Sequence, residues 1–257
     1  MEKITAGIIG YNEGNGHPYS FSAIINGFNP NENWSRYPQI LEYLKSNQQP
    51  NDNIFGLEVT HIYTPNNIIS DEISKCSRIE NVVQNPKDLL NQVDLIFILT
   101  DEGNQHWKIA KYFLNNKTPV FIDKPLCDNE EDLIKFKPFL LNNTLMSCSG
   151  FIYHPSVKDL SEKGINSNGF TVGKTRLDWF KYGIHLLEPI CLIHKSKIIN
   201  INNIKNEKDN DLVFLEFENC SYSIIIRDNS TDKFTIDIHS HKSKIKNIIF
   251  DNNYLYF

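Results

Sequence analysis

The stretch Ile4-Thr-Ala-Gly-Ile-Ile-Gly10 is a short apolar run that ends in glycine. It is followed by the loop Tyr11-Asn12-Glu-Gly14-Asn-Gly16-His17-Pro18 and by a segment, Tyr19–Gly27, whose apolar spacing predicts a helix. An uninterrupted apolar run of this length is typical of a strand that is buried on both faces of a parallel sheet. The order of strand, glycine-rich loop and helix therefore predicts the first unit of a doubly wound α/β domain.

Strands continue to alternate with helices as far as residue 122. Further strands are predicted at Leu57–Tyr63, Asp94–Leu99 and Pro119–Ile122. The helices predicted around them are Pro38–Lys45, Ile68–Cys76, a short Pro86–Gln92 and His106–Leu114. Such alternation implies βαβ units and a parallel sheet that is covered by helices on both faces.

The pattern changes after Phe151. One helix is predicted at Tyr182–His194. The other segments alternate apolar and polar residues with the period of a strand, namely Val213–Phe217, Tyr222–Ile226, Phe234–His239 and Ile245–Phe250. We therefore expect a doubly wound domain over residues 1–146 and a smaller α+β domain, with an open antiparallel sheet, over residues 147–257.

The composition is that of an ordinary globular protein. The 257 residues include 40% hydrophobic and 22% charged residues, and the net charge is −5. These values exclude a collagen-like, low-complexity or disulfide-scaffold protein. The mild acidity and the scattered lysines and arginines argue against nucleic acid as a partner.

Simple sequence patterns predict the cellular location of the protein and whether it binds a metal. The segment Met1–Gly10 lacks the features of a signal peptide, and no stretch approaches the roughly 20 apolar residues of a spanning helix. The cysteines are odd in number and widely spaced, so we expect them to be reduced: Cys76, Cys127, Cys148, Cys191 and Cys220. We expect a cytoplasmic protein without a membrane partner. His239 and His241 face one way with Asp237 on a strand, a pattern that a polar outward face explains without a metal.

The glycine loop suggests a phosphate-binding role. Glycines after the first strand of a doubly wound sheet let the backbone approach a dinucleotide pyrophosphate, which the following helix N-terminus attracts. Gly10, Gly14 and Gly16, with the flanking Tyr11, Asn12 and His17, are the candidates. Their spacing departs from G-x-G-x-x-G, so a purely structural turn remains an alternative.

Two further strand ends are expected to border a cofactor. The second strand ends at Thr64 without the carboxylate that binds the adenosine ribose in NAD enzymes, so NAD and NADP both remain candidates. Thr100 and Asp101 follow a later strand. His106 comes next and is included among the cofactor candidates, although we favour a role in capping the helix and orienting the loop.

The sequence Asp123-Lys124-Pro125 directly follows a predicted buried strand. A lysine in this position is suited to contact a substrate hydroxyl near a nicotinamide, while the proline fixes the backbone that enters the next helix. A solvated lysine at a strand end is the simpler alternative.

Taken in order, these motifs resemble the glucose-fructose oxidoreductase/inositol dehydrogenase (Gfo/Idh/MocA) family. The resemblance includes Val93–Thr100 followed by His106, the Asp123-Lys124-Pro125 version of the family's Glu-Lys-Pro, and Tyr182–Glu188. It implies a Rossmann-like domain that binds NAD or NADP, followed by a substrate-binding domain whose open sheet serves oligomer contacts. It also implies a redox reaction on a sugar or sugar derivative, in a homodimer or homotetramer. The loop around Gly14 resembles a branch associated with bacterial surface-sugar biosynthesis.

By the same resemblance, Lys124 is the catalytic lysine on the nicotinamide side and His185 is the catalytic histidine. The family often has Asp four residues before that histidine, where this chain has Lys181. Either Asp178 substitutes for it, or Lys181 binds an anionic group, or the reaction differs. Arg176 and Lys181 suit the phosphate or carboxylate of a nucleotide-linked or acidic sugar, and Tyr153 and Tyr182 are further candidates for substrate contact.

Proton chemistry favours the histidine as the base. The ordinary pKa of a lysine, about 10.4, lies far above neutral pH, whereas that of a histidine, about 6.5, lies close to it. We therefore expect His185 to exchange the proton while Lys124 orients and polarises the hydroxyl or carbonyl. Two other functions share these residues: an epimerase that retains its cofactor, and a non-catalytic dinucleotide sensor or assembly protein.

Overall fold

The computed structural model describes residues 3–165, 169–176, 179–205, 211–228, 233–240 and 243–250. Within these residues the chain divides into two compact units, the first ending at Cys148 and the second beginning at Ser149. Each unit is built on its own six-stranded sheet. None of the described helices is long and apolar enough to cross a membrane.

The sheet of the first unit is parallel throughout. Its strands are β1 (Ile4–Ile9), β2 (Leu57–Tyr63), β3 (Asn81–Val82), β4 (Leu95–Ile98), β5 (Val120–Ile122) and β6 (Leu145–Met146). They lie in the order β3-β2-β1-β4-β5-β6, with parallel pairing at each step. The strand order reverses between β1 and β4, which is the switch point of a doubly wound fold. The predicted α/β class is confirmed.

Helices cover this sheet. They are α1 (His17–Asn26), α2 (Pro38–Asn47), α3 (Asn67–Ser77), α4 (Gly103–Asn115) and α5 (Glu130–Leu141), with a 3-10 turn at Pro86–Leu89. A helix was expected after Pro125, but no bounds were predicted for α5, because Pro138 interrupts its apolar spacing. Its start is nevertheless well marked, since the Asn129 side chain accepts a hydrogen bond from the Asp132 N–H.

The core of the first unit explains the uninterrupted apolar runs. Ile8 and Ile9 are both buried, yet they belong to two different hydrophobic clusters. Successive side chains of a strand point to opposite faces of the sheet. Both faces of β1 are therefore covered, and no polar residue has a place in the middle of this strand.

The second unit has a mixed sheet. Its strands are β7 (Phe170–Thr175), β8 (Ile198–Lys205), β9 (Asp211–Phe217), β10 (Tyr222–Arg227), β11 (Phe234–Ser240) and β12 (Ser243–Phe250), in the order β12-β11-β7-β10-β9-β8. The prediction of an antiparallel sheet was wrong at one pairing, because β7 lies parallel to β10. The long connection from β7 through two helices and the β8-β9 hairpin allows this, whereas a short turn permits only antiparallel neighbours.

The helices of the second unit are α6 (Pro155–Lys163), the short α7 (Trp179–Tyr182) and α8 (Ile184–His194), preceded by a 3-10 turn at Gly150–Tyr153. The buried face of the sheet packs on α8, where Leu186 and Ile190 lie beside Gly173 of β7. The opposite face carries half-buried side chains. Val172, Phe214 and Ile224 are cross-strand neighbours on it, and Phe170 and Tyr222 form a second such pair. We call these five residues the open face.

Candidate active site

Gly10 controls how closely the ends of β1 and β4 approach each other. Its φ is +129°, and its N–H donates a 3.0 Å hydrogen bond to the Tyr63 carbonyl. A Cβ on Gly10 would lie 2.6 Å from Thr100 Cγ2 and 2.9 Å from the Leu99 carbonyl carbon. Only glycine therefore allows the loop to leave the sheet at this point.

The other two glycines of the loop serve different purposes. Gly14 has a φ of +85°, and a Cβ there would have no atom within 4 Å, so the backbone is open on that side. A Cβ on Gly16, at the N-terminus of α1, would lie 2.6 Å from Ile40 Cδ1. Gly16 therefore permits α2 to pack closely, whereas Gly14 leaves backbone exposed beside a helix N-terminus.

Side-chain amides tie the loop to the end of β4. The Asn12 amide donates a hydrogen bond to the Asp101 carboxylate, and the Asp101 N–H donates back to Asn12 Oδ1 over 3.1 Å. The buried Asn15 donates to the Leu99 carbonyl over 3.3 Å and accepts from the His17 N–H over 2.9 Å. The predicted residues Asn12 and Asp101 are thus brought together, and they bind each other.

An ion pair connects the N-terminus of α1 to the end of β5. His17 Nδ1 lies 2.5 Å from Asp123 Oδ2, and Asp123 Oδ1 accepts a 2.8 Å hydrogen bond from the Lys124 N–H. Both Asp123 and Lys124 are buried, and the Lys124–Pro125 peptide is cis. Sequence analysis named all three residues but gave no signal that His17 and Asp123 form a pair.

The charges at this pair determine the ionisation of Asp123. Burial by itself would raise the pKa of this carboxyl, but the charges on His17 and Lys124 and the hydrogen bonds to them lower it to about 2. This pKa is lower than the ordinary value of 3.8. The ionised carboxylate therefore stabilises the fold at neutral pH, and that contribution is lost as the pH falls toward 2.

The contacts of His106 lie within the first unit. Its ring is fully buried, with Nδ1 3.0 Å from the Leu126 carbonyl and Nε2 3.0 Å from Thr100 Oγ1. Nε2 also lies 3.1 Å from the Thr100 carbonyl, so each ring nitrogen faces a carbonyl oxygen. Both ring nitrogens are used within the protein, where they join the β4 loop to the segment after Pro125.

The end of β2 lacks a carboxylate, as the sequence indicates. Thr64 is buried, its hydroxyl donates a 2.7 Å hydrogen bond to the Asn66 carbonyl, and its N–H donates to Ser70. A cation that sequence analysis missed lies near the glycine loop. The Arg36 guanidinium is 6.0 Å from the centre of the Tyr11 ring and 3.6 Å from the Glu72 carboxylate. It lies in an irregular segment before α2, where no motif draws attention to it.

The second unit places His185 in a buried cluster at the start of α8. Its Nδ1 lies 2.6 Å from Ser149 Oγ. The Phe151 ring is 4.7 Å away and the Phe234 ring 5.6 Å away, measured between ring centroids. Sequence analysis did not find Ser149, which lies 36 residues from His185 along the chain.

Glu188 lies one turn after His185 on α8. Its carboxylate accepts a 2.6 Å hydrogen bond from the Ser149 N–H. Burial raises the pKa of Glu188 to about 7, and the Ser149 N–H opposes the increase only in part. Sequence analysis quoted Glu188 only as part of a motif, although its spacing of three residues from His185 puts both on one face of the helix.

The candidate substrate residues are divided among several environments. The Arg176 guanidinium lies 5.7 Å from the centre of the Phe234 ring. The centre of the Tyr182 ring lies 6.0 Å from the centre of the Phe234 ring. We call Arg176, Tyr182, His185 and Phe234 the Phe234 cluster. Within the described part of the chain, the buried Nε of Arg176 has no hydrogen-bond partner.

The remaining candidates lie outside this cluster or cannot be placed. Lys181 is half-buried on α7, and Tyr153 is exposed at the end of the 3-10 turn. Asp178 and His241 lie outside the described residues. His239 packs against Phe170, with 5.8 Å between ring centroids.

A parallel doubly wound sheet with a glycine loop at its switch point defines a dinucleotide-binding class of protein. Residues 38–140 match the Gfo/Idh/MocA family model, described as an oxidoreductase family with an NAD-binding Rossmann fold. The match confirms the resemblance to this family that the motifs predict. Residues 38–140 are therefore similar to the NAD-binding Rossmann domain of the Gfo/Idh/MocA oxidoreductases.

Solved structures support the same fold over nearly the whole chain. A dehydrogenase from Clostridium difficile is 17% identical, with a TM-score of 0.68 over 96% of this chain and 78% of the other. The apo scyllo-inositol dehydrogenase from Lactobacillus casei is 13% identical, with a TM-score of 0.73 over 96% and 75%. A UDP-N-acetylglucosamine 3-dehydrogenase from Acidithiobacillus ferrooxidans is 15% identical, with a TM-score of 0.71 over 98% and 79%. At these identities the likeness establishes the fold alone. No curated protein matches the sequence.

The different purposes of the loop glycines lead to a first prediction. Gly10→Ala should lower the free energy of unfolding by about 3 kcal/mol or more, because it adds a clash with backbone atoms to the cost of a positive φ. Gly14→Ala should lower it by about 1 kcal/mol, since only the conformational cost applies. Urea denaturation measures both values, and equal losses would contradict the close approach of β1 and β4.

The environment of Glu188 leads to a second prediction. A half-buried carboxyl that ionises near pH 7 in the fold, but near pH 4.5 ordinarily, destabilises the fold increasingly as the pH rises between these values. Glu188→Gln keeps a carbonyl oxygen for the Ser149 N–H and removes the charge. It should match the wild type near pH 4.5 and exceed its free energy of unfolding by about 3 kcal/mol at pH 8.

The control for this experiment is Glu42→Gln at an exposed position of α2. Urea denaturation of both variants at pH 5 and pH 8 separates the buried carboxyl from the general effect of removing a charge. A Glu188→Gln variant that gains no stability over this range would refute a buried, ionising carboxylate at this position.

Proposed function

We propose that the protein transfers hydride between NAD or NADP and a hydroxyl or keto carbon of a sugar or sugar derivative. The observation that carries the proposal is the Asp123-Lys124-Pro125 segment at the end of β5, joined by the His17–Asp123 pair to the N-terminus of α1. The family is one of NAD-binding oxidoreductases. The structural neighbours named above, which include an inositol and a UDP-N-acetylglucosamine dehydrogenase, support a sugar or polyol as the substrate. Neither the epimerase nor the sensor alternative is favoured by these comparisons.

The first unit fits a dinucleotide at its pyrophosphate. The exposed backbone at Gly14 lies just before α1, a ten-residue helix whose N-terminus favours an anion. The loop from Gly10 to Gly16 would hold the pyrophosphate, and the cofactor when bound would accept or supply the hydride. At the adenosine end the missing carboxylate and the nearby Arg36 leave both NAD and NADP as candidates.

Two side chains carry the proton chemistry in this proposal. Lys124 is a buried cation that lies next to the ionised Asp123, which holds its backbone through a hydrogen bond. His185 is a buried imidazole in the Phe234 cluster. Each is a group that is able to exchange a proton with a substrate oxygen or to polarise it.

The substrate carries an anionic group in this proposal. The support comes from the Phe234 cluster, where the buried Arg176 Nε has no hydrogen-bond partner among the described residues. A buried donor of this kind is costly unless a partner satisfies it. A phosphate or carboxylate matches a guanidinium well, so we favour a nucleotide-linked or acidic sugar. Lys181, half-buried on α7, is a second candidate cation.

The cellular location and the oligomeric state of the protein are also proposals. We place the protein in the cytoplasm, supported by its five free cysteines. We also propose a homodimer or homotetramer that forms through the open face of the second sheet. The row of Val172, Phe214 and Ile224 across three strands supports it, because a contiguous apolar surface favours association.

Turnover of the first substrate found in a screen of sugars, sugar acids and UDP-sugars tests the role of Lys124. Lys124→Ala should lower kcat by about 100-fold or more, because it removes a group that acts on the substrate oxygen. Lys108→Ala, at an exposed position of α4, should leave kcat unchanged. A Lys124→Ala enzyme with wild-type turnover would rule out the proposed mechanism.

Light scattering coupled to size exclusion tests the oligomer. The wild type should elute with two or four times the 29.8 kDa chain mass, and Phe214→Asp should elute as a single chain. Leu133→Asp, on the exposed surface of α5, should keep the wild-type mass. A wild-type protein that elutes at the mass of one chain would dismiss the proposal.

A further inference from the structure

The partner of His185 within the second unit is a serine. Ser149 Oγ lies 2.6 Å from His185 Nδ1. Both residues are buried. We propose that Ser149 is a positioning residue that holds neutral His185 with its proton on Nε2, so that His185 acts as a hydrogen-bond donor. The inference rests on the proposed function, because a fixed tautomer matters catalytically only if His185 contacts the substrate.

The direction of the Ser149–His185 hydrogen bond follows from the contacts of the hydroxyl. The Phe151 N–H donates to Ser149 Oγ over 3.2 Å and so occupies an acceptor position on that oxygen. The second lone pair of this oxygen is able to accept from an Nδ1–H, but the hydroxyl proton would then have no acceptor among the contacts of Ser149 in the described residues. The hydroxyl therefore donates its single proton to Nδ1, which lies 2.6 Å away. A neutral imidazole that accepts at Nδ1 carries its proton on Nε2.

Aromatic neighbours fix the position of the His185 ring, in addition to the hydrogen bond that fixes its tautomer. The Phe151 ring lies 4.7 Å from the imidazole at an interplanar angle of 33°, and the Phe234 ring lies 5.6 Å away at 65°. The Tyr182 ring lies 6.1 Å away. These aromatic neighbours restrict the position of the ring, and the hydroxyl of Ser149 restricts its rotation.

Glu188 links Ser149 to the helix that carries the histidine. Its carboxylate accepts the Ser149 N–H over 2.6 Å, and it lies one turn after His185 on α8. The serine is therefore held at its backbone by α8 and at its hydroxyl by His185. The serine and the imidazole form one rigid unit, and Glu188 is the titratable carboxyl nearest to it along the helix.

The inference revises the roles that the ordinary pKa values suggest. With Nδ1 engaged by Ser149 and a proton already on Nε2, neutral His185 has no lone pair free to take a proton from a hydroxyl. It is suited to donate the Nε2–H to a carbonyl or developing alkoxide oxygen, which is electrostatic stabilisation. Proton exchange is then left to Lys124.

A matched control exists in the same unit. Ser221 Oγ lies 2.6 Å from His194 Nδ1, and both residues are buried. This pair has the same Oγ–Nδ1 distance as Ser149 and His185, but it lies at the other end of α8, and its serine hydroxyl also donates to Asn219 Oδ1 over 2.5 Å. Ser221→Ala removes a buried serine hydroxyl from a histidine in the same way and should leave both the tautomer of His185 and turnover unchanged.

The decisive experiment is ¹⁵N NMR of the histidine side chains, recorded on the full chain without cofactor at pH 8. Signals of His185 are assigned by their loss in His185→Leu. The wild type should show a protonated Nε2 and an unprotonated Nδ1 at His185. Ser149→Ala should produce a mixture of tautomers, and Ser149→Thr, which keeps the hydroxyl, should restore the wild-type pattern.

Turnover provides the second readout. Ser149→Ala should lower kcat by about tenfold with little change in KM, while Ser149→Thr should recover most of kcat. A wild-type His185 with its proton on Nδ1, or a Ser149→Ala variant with an unchanged tautomer, would overturn the inference. The wild-type spectrum decides the first point even if Ser149→Ala fails to fold.

Failure of the proposed function gives a different result. In that case the wild type would turn over none of the sugars, sugar acids or UDP-sugars in the screen, while its ¹⁵N spectrum still showed the Nε2–H tautomer at His185. The catalytic role of the pair would then be withdrawn, and the hydrogen bond would remain as a structural contact.

Discussion

The close approach of β1 and β4 at Gly10 is the constraint on which the first unit depends. The backbone and side chain of the β4 end lie so near that a Cβ at Gly10 would overlap them. The loop that leaves this point is then tied at Asn12 to Asp101, at Asn15 to Leu99 and at His17 to Asp123. Three strand ends are thus joined to the N-terminus of one helix. A phosphate-binding loop needs this kind of rigidity, because a preorganised site loses little entropy on binding.

In the second unit, buried polar side chains form hydrogen bonds with one another inside the core. His185 and His194 each have a serine hydroxyl 2.6 Å from Nδ1, and each packs against phenylalanine rings. Burial lowers the pKa of His194 to about 4, so this histidine is neutral at ordinary pH and serves packing. The two histidines differ in surroundings, because His185 lies in the Phe234 cluster beside Arg176 and Tyr182. The same local chemistry therefore gives a structural pair at one end of α8 and a candidate functional pair at the other.

Local patterns predicted the elements that are fully buried or clearly amphipathic. The strand Leu57–Tyr63 was predicted with its observed bounds, and β1 within one residue, because continuous apolar runs have few alternative explanations. The elements that were missed have weak patterns. β8 is rich in asparagine, β7 includes glycine and lysine, and β3 and β6 are two residues each. The parallel pairing of β7 with β10 depends on the path of the chain and not on either strand's own sequence.

The site was predictable as a set of residues but not as a set of contacts. Motif order predicted Lys124, His185 and the glycine loop as residues of the site. The pair His17 and Asp123 joins residues that are 106 positions apart in the sequence, and the pair Ser149 and His185 joins residues that are 36 positions apart. Such contacts are properties of the tertiary fold, and no spacing rule in one sequence reveals them. The structural role of His106 remains a prediction: its position before a helix suggests capping, and both of its ring nitrogens contact groups of the protein.

The central claim is that the glycine loop at the switch point holds a nicotinamide dinucleotide. Isothermal titration of the purified protein with NADH and with NADPH tests it directly, after retained cofactor has been removed and measured. The account predicts that at least one of the two binds with one site per chain. Absence of binding by both would contradict the account and leave a Rossmann fold without its ligand.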